Sequence, residues 1–254
     1  VTTGYLDELF TLDGRLALVT GASSGIGRAI ATALGRAGAR LVLVARDEAA
    51  LAGTVRELEG LGCDARHVPA DLADRAAIAR LVAEVPSVDI LVNSAGVNIR
   101  PPLDELSEAD WDLTLAVNLT APYLLGQHYG PRMARHGFGR ILTLASQQSV
   151  RAYGNSGGYG AAKAGVTGLI RSQAEAWSRF GVCCNAIAPG VVHTTMTEPI
   201  FADPERARAM AARTMVGRNG EPADFAGIAV FLASAASAHI TGQTIFVDGG
   251  FSVH

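Results

Sequence analysis

Seven short apolar runs recur along this chain with longer helix-like stretches between them, and no other feature limits its possible folds so tightly. The runs fall at 16–20, 41–45, 66–70, 89–93, 140–145, 182–188 and 244–247. Most are continuously apolar rather than alternating, the pattern of strands covered on both faces. Between them, segments 25–37, 48–61, 75–85, 108–135, 159–180 and 222–233 read as helices. Ser107 with Asp110 three residues on resembles a helix start, and Asp203-Pro204 is another. Strand–helix repetition of this kind predicts a doubly wound parallel sheet with right-handed crossovers and helices on both faces. Segment 191–203 breaks the rhythm and reads as a lid over a site at the carboxyl ends of the strands.

A length of 254 residues suits one α/β domain, and 49% hydrophobic residues supply its core. No linker or internal repeat divides the chain. Net charge is −3 with acids and arginines interspersed, so no basic stripe points to nucleic acid. No apolar stretch reaches membrane-spanning length, and residues 1–10 carry acids without a basic start, unlike a signal peptide. Cys63, Cys183 and Cys184 are too few and badly spaced for a disulfide framework or a metal site. They read as small hydrophobes in a reducing, cytoplasmic setting.

The segment Thr20-Gly21-Ala22-Ser23-Ser24-Gly25-Ile26-Gly27 follows the first predicted strand and opens the first helix. Glycines there permit a tight turn and close approach of a phosphate, which the helix N-terminus attracts with free N–H groups. The next strand ends Ala45-Arg46-Asp47. An acid at that end would bind the ribose hydroxyl of NAD, whereas an arginine accommodates the 2′-phosphate of NADP. Arg46 therefore favours NADP(H), with NAD(H) the alternative and Asp47 a potential counter-charge. Asp71-Leu72, after the third strand, fits either an adenine contact or a helix N-cap.

Twenty arginines accompany a single lysine, Lys163. Arginine and lysine are not interchangeable at a tight site. Lys163 stands four residues after Tyr159, on one helix face, so ammonium and phenol can converge. A cation there would lower the phenol pKa and fit the tyrosine for proton transfer. None of the other four tyrosines has a lysine at that spacing.

Together these segments resemble the short-chain dehydrogenase/reductase family over almost the whole chain. The glycine motif is residues 20–27. Asn93-Ser94-Ala95-Gly96 matches the family's Asn-Asn-Ala-Gly with serine at the second place, Asn118 its helix asparagine, and Ser146 its serine thirteen residues before the tyrosine. Tyr159 and Lys163 form its Tyr-x-x-x-Lys, and Pro189-Gly190, Thr194 and the Val-Asp-Gly-Gly at 247–250 complete the series. The resemblance implies a Rossmann fold. It implies that Tyr159 is acid or base, that Lys163 bonds the nicotinamide ribose and lowers the tyrosine pKa, that Ser146 donates to the substrate oxygen, and that Asn118 anchors a water. It further implies cofactor contacts from Asn93, Ala95, Gly96, Pro189, Gly190, Val192 and Thr194, and a homotetramer built through the two longest helices.

Substrate-facing loops are expected at 97–105, 147–158 and 191–205, carrying Asn98, Arg100, Gln147, Gln148, Arg151, Asn155 and His193. Their polarity suits a hydroxylated small molecule, although loops are polar by default. His193 reads as a pocket or lid residue. Ser149 and Tyr153 lack the spacing for proton transfer. Asn98-Ile99-Arg100 and Phe10-Thr11-Leu12-Asp13-Gly14 resemble the sugar, polyol and sugar-acid dehydrogenases of the family, such as the gluconate 5-dehydrogenases. The 3-oxoacyl-carrier-protein reductases share every catalytic motif and are the nearest rival. A non-catalytic nucleotide-binding regulator is the alternative of another class, and intact Ser146, Tyr159 and Lys163 argue against it.

Overall fold

The computed structural model describes residues 4–254, so the start of the acidic segment 1–10 lies outside the described residues. Seven strands run parallel in one sheet: β1 (Leu16–Thr20), β2 (Arg40–Ala45), β3 (Ala65–Pro69), β4 (Ile90–Asn93), β5 (Gly139–Leu144), β6 (Val182–Pro189) and β7 (Thr244–Val247). Their order is β3-β2-β1-β4-β5-β6-β7. Every predicted strand forms, within about one residue at each end, as boundary uncertainty allows.

The continuous apolar runs have the predicted cause. Successive side chains of β1 point to opposite faces: Ala17 and Val19 enter one core, Leu18 the other, and all are fully buried. Helices α2 (Gly25–Arg36), α3 (Glu48–Gly60) and α10 (Ala226–Ala233) cover the first face with Ile30, Leu34, Leu51, Leu58 and Leu232. Helices α4 (Arg75–Glu84), α6 (Ala121–His136) and α7 (Gly157–Trp177) cover the second with Ile78, Leu81, Leu125, Tyr129, Val166 and Ile170. The strand order reverses between β1 and β4, whose last residues Thr20 and Asn93 lie side by side. That switch point opens the crevice in which such sheets hold ligands.

Two readings of the helices are corrected. The predicted helix at 108–135 is interrupted: α5 (Glu108–Leu115) passes through one π turn at Ala116–Thr120 before α6 begins. The Asn118 amide donates to the Thr114 carbonyl at 3.0 Å, as a side chain inserted into the helical ladder does. Segment 191–203 is not plain loop. It holds a 3-10 turn at Thr195–Thr197 and the short α8 (Glu198–Phe201), and Asp203 caps α9 (Pro204–Ala211) through two backbone N–H groups. Ser107 caps α5 by accepting from Asp110 N at 3.0 Å, as expected. The short α1 (Tyr5–Phe10) has no counterpart in the sequence reading. The three cysteines are free and buried. Among the described residues no helix is long and apolar enough to cross a membrane.

Candidate active site

The glycine turn is shaped by contacts that exclude a side chain. Gly21 has φ +67° and a Cβ there would stand 2.8 Å from Ala95 Cα; a Cβ on Gly27 would stand 2.3 Å from Gly21 O. Such approaches require glycine. Gly27→Ala is therefore expected to cost about 1–3 kcal/mol of stability, read as a fall in thermal midpoint; an unchanged midpoint would contradict the packing. Gly25, with φ +54°, lies against the Thr194 methyl, so the start of the lid meets the glycine turn. Ser24 is the N-cap of α2, yet its hydroxyl makes no capping bond, and the first N–H groups of a helix have no intrahelical partner. The turn can therefore offer a cluster of donors to an anion.

The motif reading includes Thr20 but gives it no role. Its hydroxyl accepts from Ser94 N at 3.0 Å and Ala95 N at 3.1 Å, clamping the loop after β4 to β1. Asn93 donates to the Thr143 hydroxyl at 3.1 Å and leaves its own buried carbonyl oxygen without a partner. An acceptor of this kind requires a ligand or water to satisfy it.

Arg46 is exposed at the carboxyl end of β2 and forms no ion pair among the described residues. Asp47 is spent elsewhere, because its carboxylate caps α3 by accepting from Ala50 N at 3.0 Å. Asp71 is exposed and accepts from Ala73 N at 3.0 Å, while the N-cap of α4 is Asp74. The N-cap alternative for Asp71-Leu72 is thus corrected, and the Leu72 side chain belongs to the core. Val192 likewise buries its side chain; its backbone N–H is the group left without a partner among the described residues.

At the centre, Ser146, Tyr159 and Lys163 are all buried, at 7%, 9% and 4% exposure, with Ser146 two residues beyond the end of β5 and the other two on α7. Lys163 Nζ donates to the Leu144 carbonyl at 2.6 Å and stands 5.7 Å from the centre of the Tyr159 ring. Burial pushes the ammonium pKa down to about 8. The phenol moves the other way: burial raises the Tyr159 pKa, opposed by hydrogen bonding from Ser146 and the charge of Arg100. Lys163 gives one of its three N–H groups to the Leu144 carbonyl and keeps its charge beside the Tyr159 ring.

Asn118 is 1% exposed. Its amide donates to the carbonyls of Val97 and Thr114 and accepts from Val97 N. The side chain thus fixes the loop after β4. A Cβ on Gly96 would come within 2.8 Å of the Asn118 oxygen and 4.0 Å of Lys163 Nζ, so these elements meet without slack.

The substrate loops are partly tied to each other. Arg100 donates to the carbonyls of Gly154 and Asn155, and Asn155 is the one non-glycine residue among those described with positive φ, +59°. Asn98 and Gln148 each carry a buried side-chain oxygen without a partner. His193 stacks on Phe201 at 4.2 Å and faces Glu198 at 3.8 Å, contacts internal to the lid. Ser149 donates to the Lys163 carbonyl at 2.8 Å, and the Tyr153 hydroxyl donates to Gln147, so both are occupied outside the proton-transfer group.

A doubly wound parallel sheet with a glycine turn at its switch point and a buried Ser–Tyr–Lys group beside it defines a dinucleotide-dependent oxidoreductase. The comparisons agree. The family model described as Enoyl-(Acyl carrier protein) reductase matches residues 21–252. The chain is 38% identical to gluconate 5-dehydrogenase of Gluconobacter oxydans, over 97% of this chain and 98% of that one. It is 40% identical to D-threitol dehydrogenase of Mycolicibacterium smegmatis, over 98% and 96%. It superposes on the crystal structure of a gluconate 5-dehydrogenase from Burkholderia cenocepacia in complex with NADP and tartrate with TM-score 0.91 and 37% identity, covering 98% of this chain and 100% of that one. The chain belongs to the short-chain dehydrogenase/reductase family.

Proposed function

We propose that this protein is an NADP(H)-dependent oxidoreductase that interconverts a secondary alcohol and a ketone on a polyol, sugar or sugar acid. The observation that carries this reading is the convergence of Ser146, Tyr159 and Lys163 in one buried group beside the glycine turn. The named relatives act on compounds of this kind, and the Burkholderia structure holds NADP.

The residues fit that cofactor. Gly21, Ser23, Ser24, Gly25, Ile26 and Gly27 would hold its diphosphate, and Arg46 its 2′-phosphate. Asn93, Ala95 and Gly96 would line its middle, with Pro189, Gly190, the Val192 N–H and Thr194 about the nicotinamide. When bound, the nicotinamide supplies or accepts the hydride. Tyr159 gives its proton to the carbonyl oxygen in reduction and takes it back in oxidation. Ser146 donates a hydrogen bond to that oxygen as charge develops on it. Lys163 would hold the ribose, and Asn118 fixes the loop that carries Gly96 beside Lys163.

Arg46→Ala is expected to weaken NADPH binding about tenfold or more and NADH binding little, since a phosphate–guanidinium contact is lost only in the first case. Equal weakening of both would overturn the role given to Arg46. A panel of polyols, sugar acids and β-ketoesters tests the substrate class by turnover with NADPH or NADP. Absence of cofactor turnover throughout would favour the non-catalytic alternative.

A 3-oxoacyl-carrier-protein reductase is the second reading, since a solved 3-oxoacyl (acyl-carrier-protein) reductase from Agrobacterium tumefaciens is 34% identical to this chain. An acidic carrier would need a basic rim. Arg100 and Arg151 are instead turned onto the carbonyls of Gly154, Asn155 and Phe251, which supports the polyol reading. Tyr123 on α6 and Trp111 on α5 are exposed aromatics at 45% and 38%, as is Phe180 just beyond α7 at 45%, and these support assembly as a homotetramer through the long helices. Three unpaired buried thiols support a cytoplasmic location.

A further inference from the structure

Gln147 follows Ser146 directly and is only 3% exposed, yet no catalytic or cofactor role above uses it. A buried amide wants both of its ends satisfied. One end is: the Tyr153 hydroxyl donates to Gln147 Oε1. The other, Nε2, donates to no acceptor among the described residues and is not enclosed, so it keeps access to solvent. It lies 3.3 Å from where a Cβ on Gly190 would sit, at the carboxyl end of β6. The donor thus sits beside the strand end assigned to the nicotinamide, on the residue that follows the serine of the reacting group.

Tyr153 is itself held from a distance. Its ring stacks on Phe251 with centroids 6.0 Å apart and planes 27° from parallel. Phe251 is 1% exposed and lies under the Arg213 guanidinium at 4.3 Å. Its carbonyl accepts from Arg151 at 2.8 Å. Asp248 folds the segment that carries it by accepting from Gly250 N at 3.0 Å and Ser252 N at 2.8 Å. The tail of the chain therefore grips the loop after Ser146 and sets which way the Gln147 amide faces.

We propose that Gln147 is a specificity-determining residue that donates its amide N–H to a substrate hydroxyl next to the reacting carbon, and that Tyr153, anchored on Phe251, is the positioning residue that orients it. The inference rests on the alcohol–ketone reading and narrows its substrate to compounds with a second hydroxyl beside the reacting one. A site built to hydrogen-bond a hydroxyl discriminates strongly against analogues that lack it.

The test compares D-threitol with 2-butanol, which shares the chain length and lacks the neighbouring hydroxyl. The readout is the ratio of kcat/KM for the pair, with NADPH affinity measured alongside. Gln147→Glu keeps an acceptor for Tyr153 but removes the donor; it is expected to lower the ratio about tenfold or more, with NADPH affinity retained. Tyr153→Phe frees the amide to turn and is expected to raise KM for threitol severalfold with kcat largely kept. Should Gln147→Glu misfold, Gln147→Leu serves, with thermal melting as the control. A ratio that is unchanged in the glutamate or leucine variants, or a loss shared equally by both alcohols, overturns the proposal. If the unaltered protein oxidises neither threitol nor any other vicinal diol but does reduce isolated ketones, this inference fails while the alcohol–ketone reading stands. If it turns over no alcohol or ketone at all, both fail.

Discussion

Tyr159→Phe is expected to lower kcat by about 10³-fold or more while NADPH affinity changes by less than about threefold, because positioned acid–base catalysis contributes about 10²–10⁴. The ring, its packing and its place on α7 survive the substitution; only the proton is lost. Turnover within tenfold of the original would remove the phenol from the mechanism. The direction of the phenol's pKa adds a second readout. Burial raises it, so the neutral phenol, the form that can protonate a carbonyl, dominates at neutral pH. Reduction should accordingly be nearly flat through neutral pH. Oxidation, which needs the phenolate as base, should climb as pH rises, since each step upward enlarges the deprotonated fraction. A steeper or earlier climb once NADP is bound would mean that the cofactor complex adds to the depression from Ser146 and Arg100.

Replacing Lys163 by arginine is expected to be nearly as damaging as replacing it by methionine, with kcat/KM down about 10²-fold or more in both, as for loss of a positioned catalytic group. Lys163 is 4% exposed, its ammonium donates to the Leu144 carbonyl, and it lies 4.0 Å from where a Cβ on Gly96 would sit. A planar guanidinium is broader than that space, and overpacking of a filled interior typically costs about 1–3 kcal/mol. Restoration of activity by arginine would show that charge alone matters there. Lys163→Met also has a stability signature. The folded pKa is lowered to about 8 from the ordinary 10.5. Between those values the unfolded chain binds the proton more readily than the folded one, so stability from this group rises with pH through that window and is lost as pH falls through 8. At 1.36 kcal/mol per unit the full span is about 3 kcal/mol. The methionine variant should therefore gain stability relative to the original protein at pH 7 and lose that advantage near pH 10. Parallel unfolding curves at both pH values would contradict the burial of a titrating amine.

Much of the chemistry was readable because it is carried by local patterns. The glycine turn, the Tyr159–Lys163 spacing, the serine thirteen residues earlier and the arginine closing β2 are short-range features. Continuous apolar runs located each strand of the sheet. Asn118 was identified as a site residue, but its effect on the backbone was not: the helix passes through a π turn where its amide bonds Thr114 and Val97, and Val97 lies twenty-one residues away. Thr20 was placed in the glycine motif without a role for the same reason, since its two partners lie more than seventy residues away. The Lys163–Leu144 and Tyr153–Gln147 bonds link the loop after β5 to its surroundings in a way that no spacing rule encodes.

What the amino-acid order determined by itself was periodicity and turn chemistry, hence the parallel sheet, the phosphate turn and the pairing of phenol with ammonium on one helix face. Only the tertiary structure decided the electrostatics and the occupancy of those groups. Whether Asp47 opposes Arg46, which carbonyl Lys163 donates to, and whether Gln147 has a free donor are settled by the surroundings of each group in space and by burial. Desolvation and hydrogen bonding depend on what surrounds an atom in space, and the chain sets that only once it has folded.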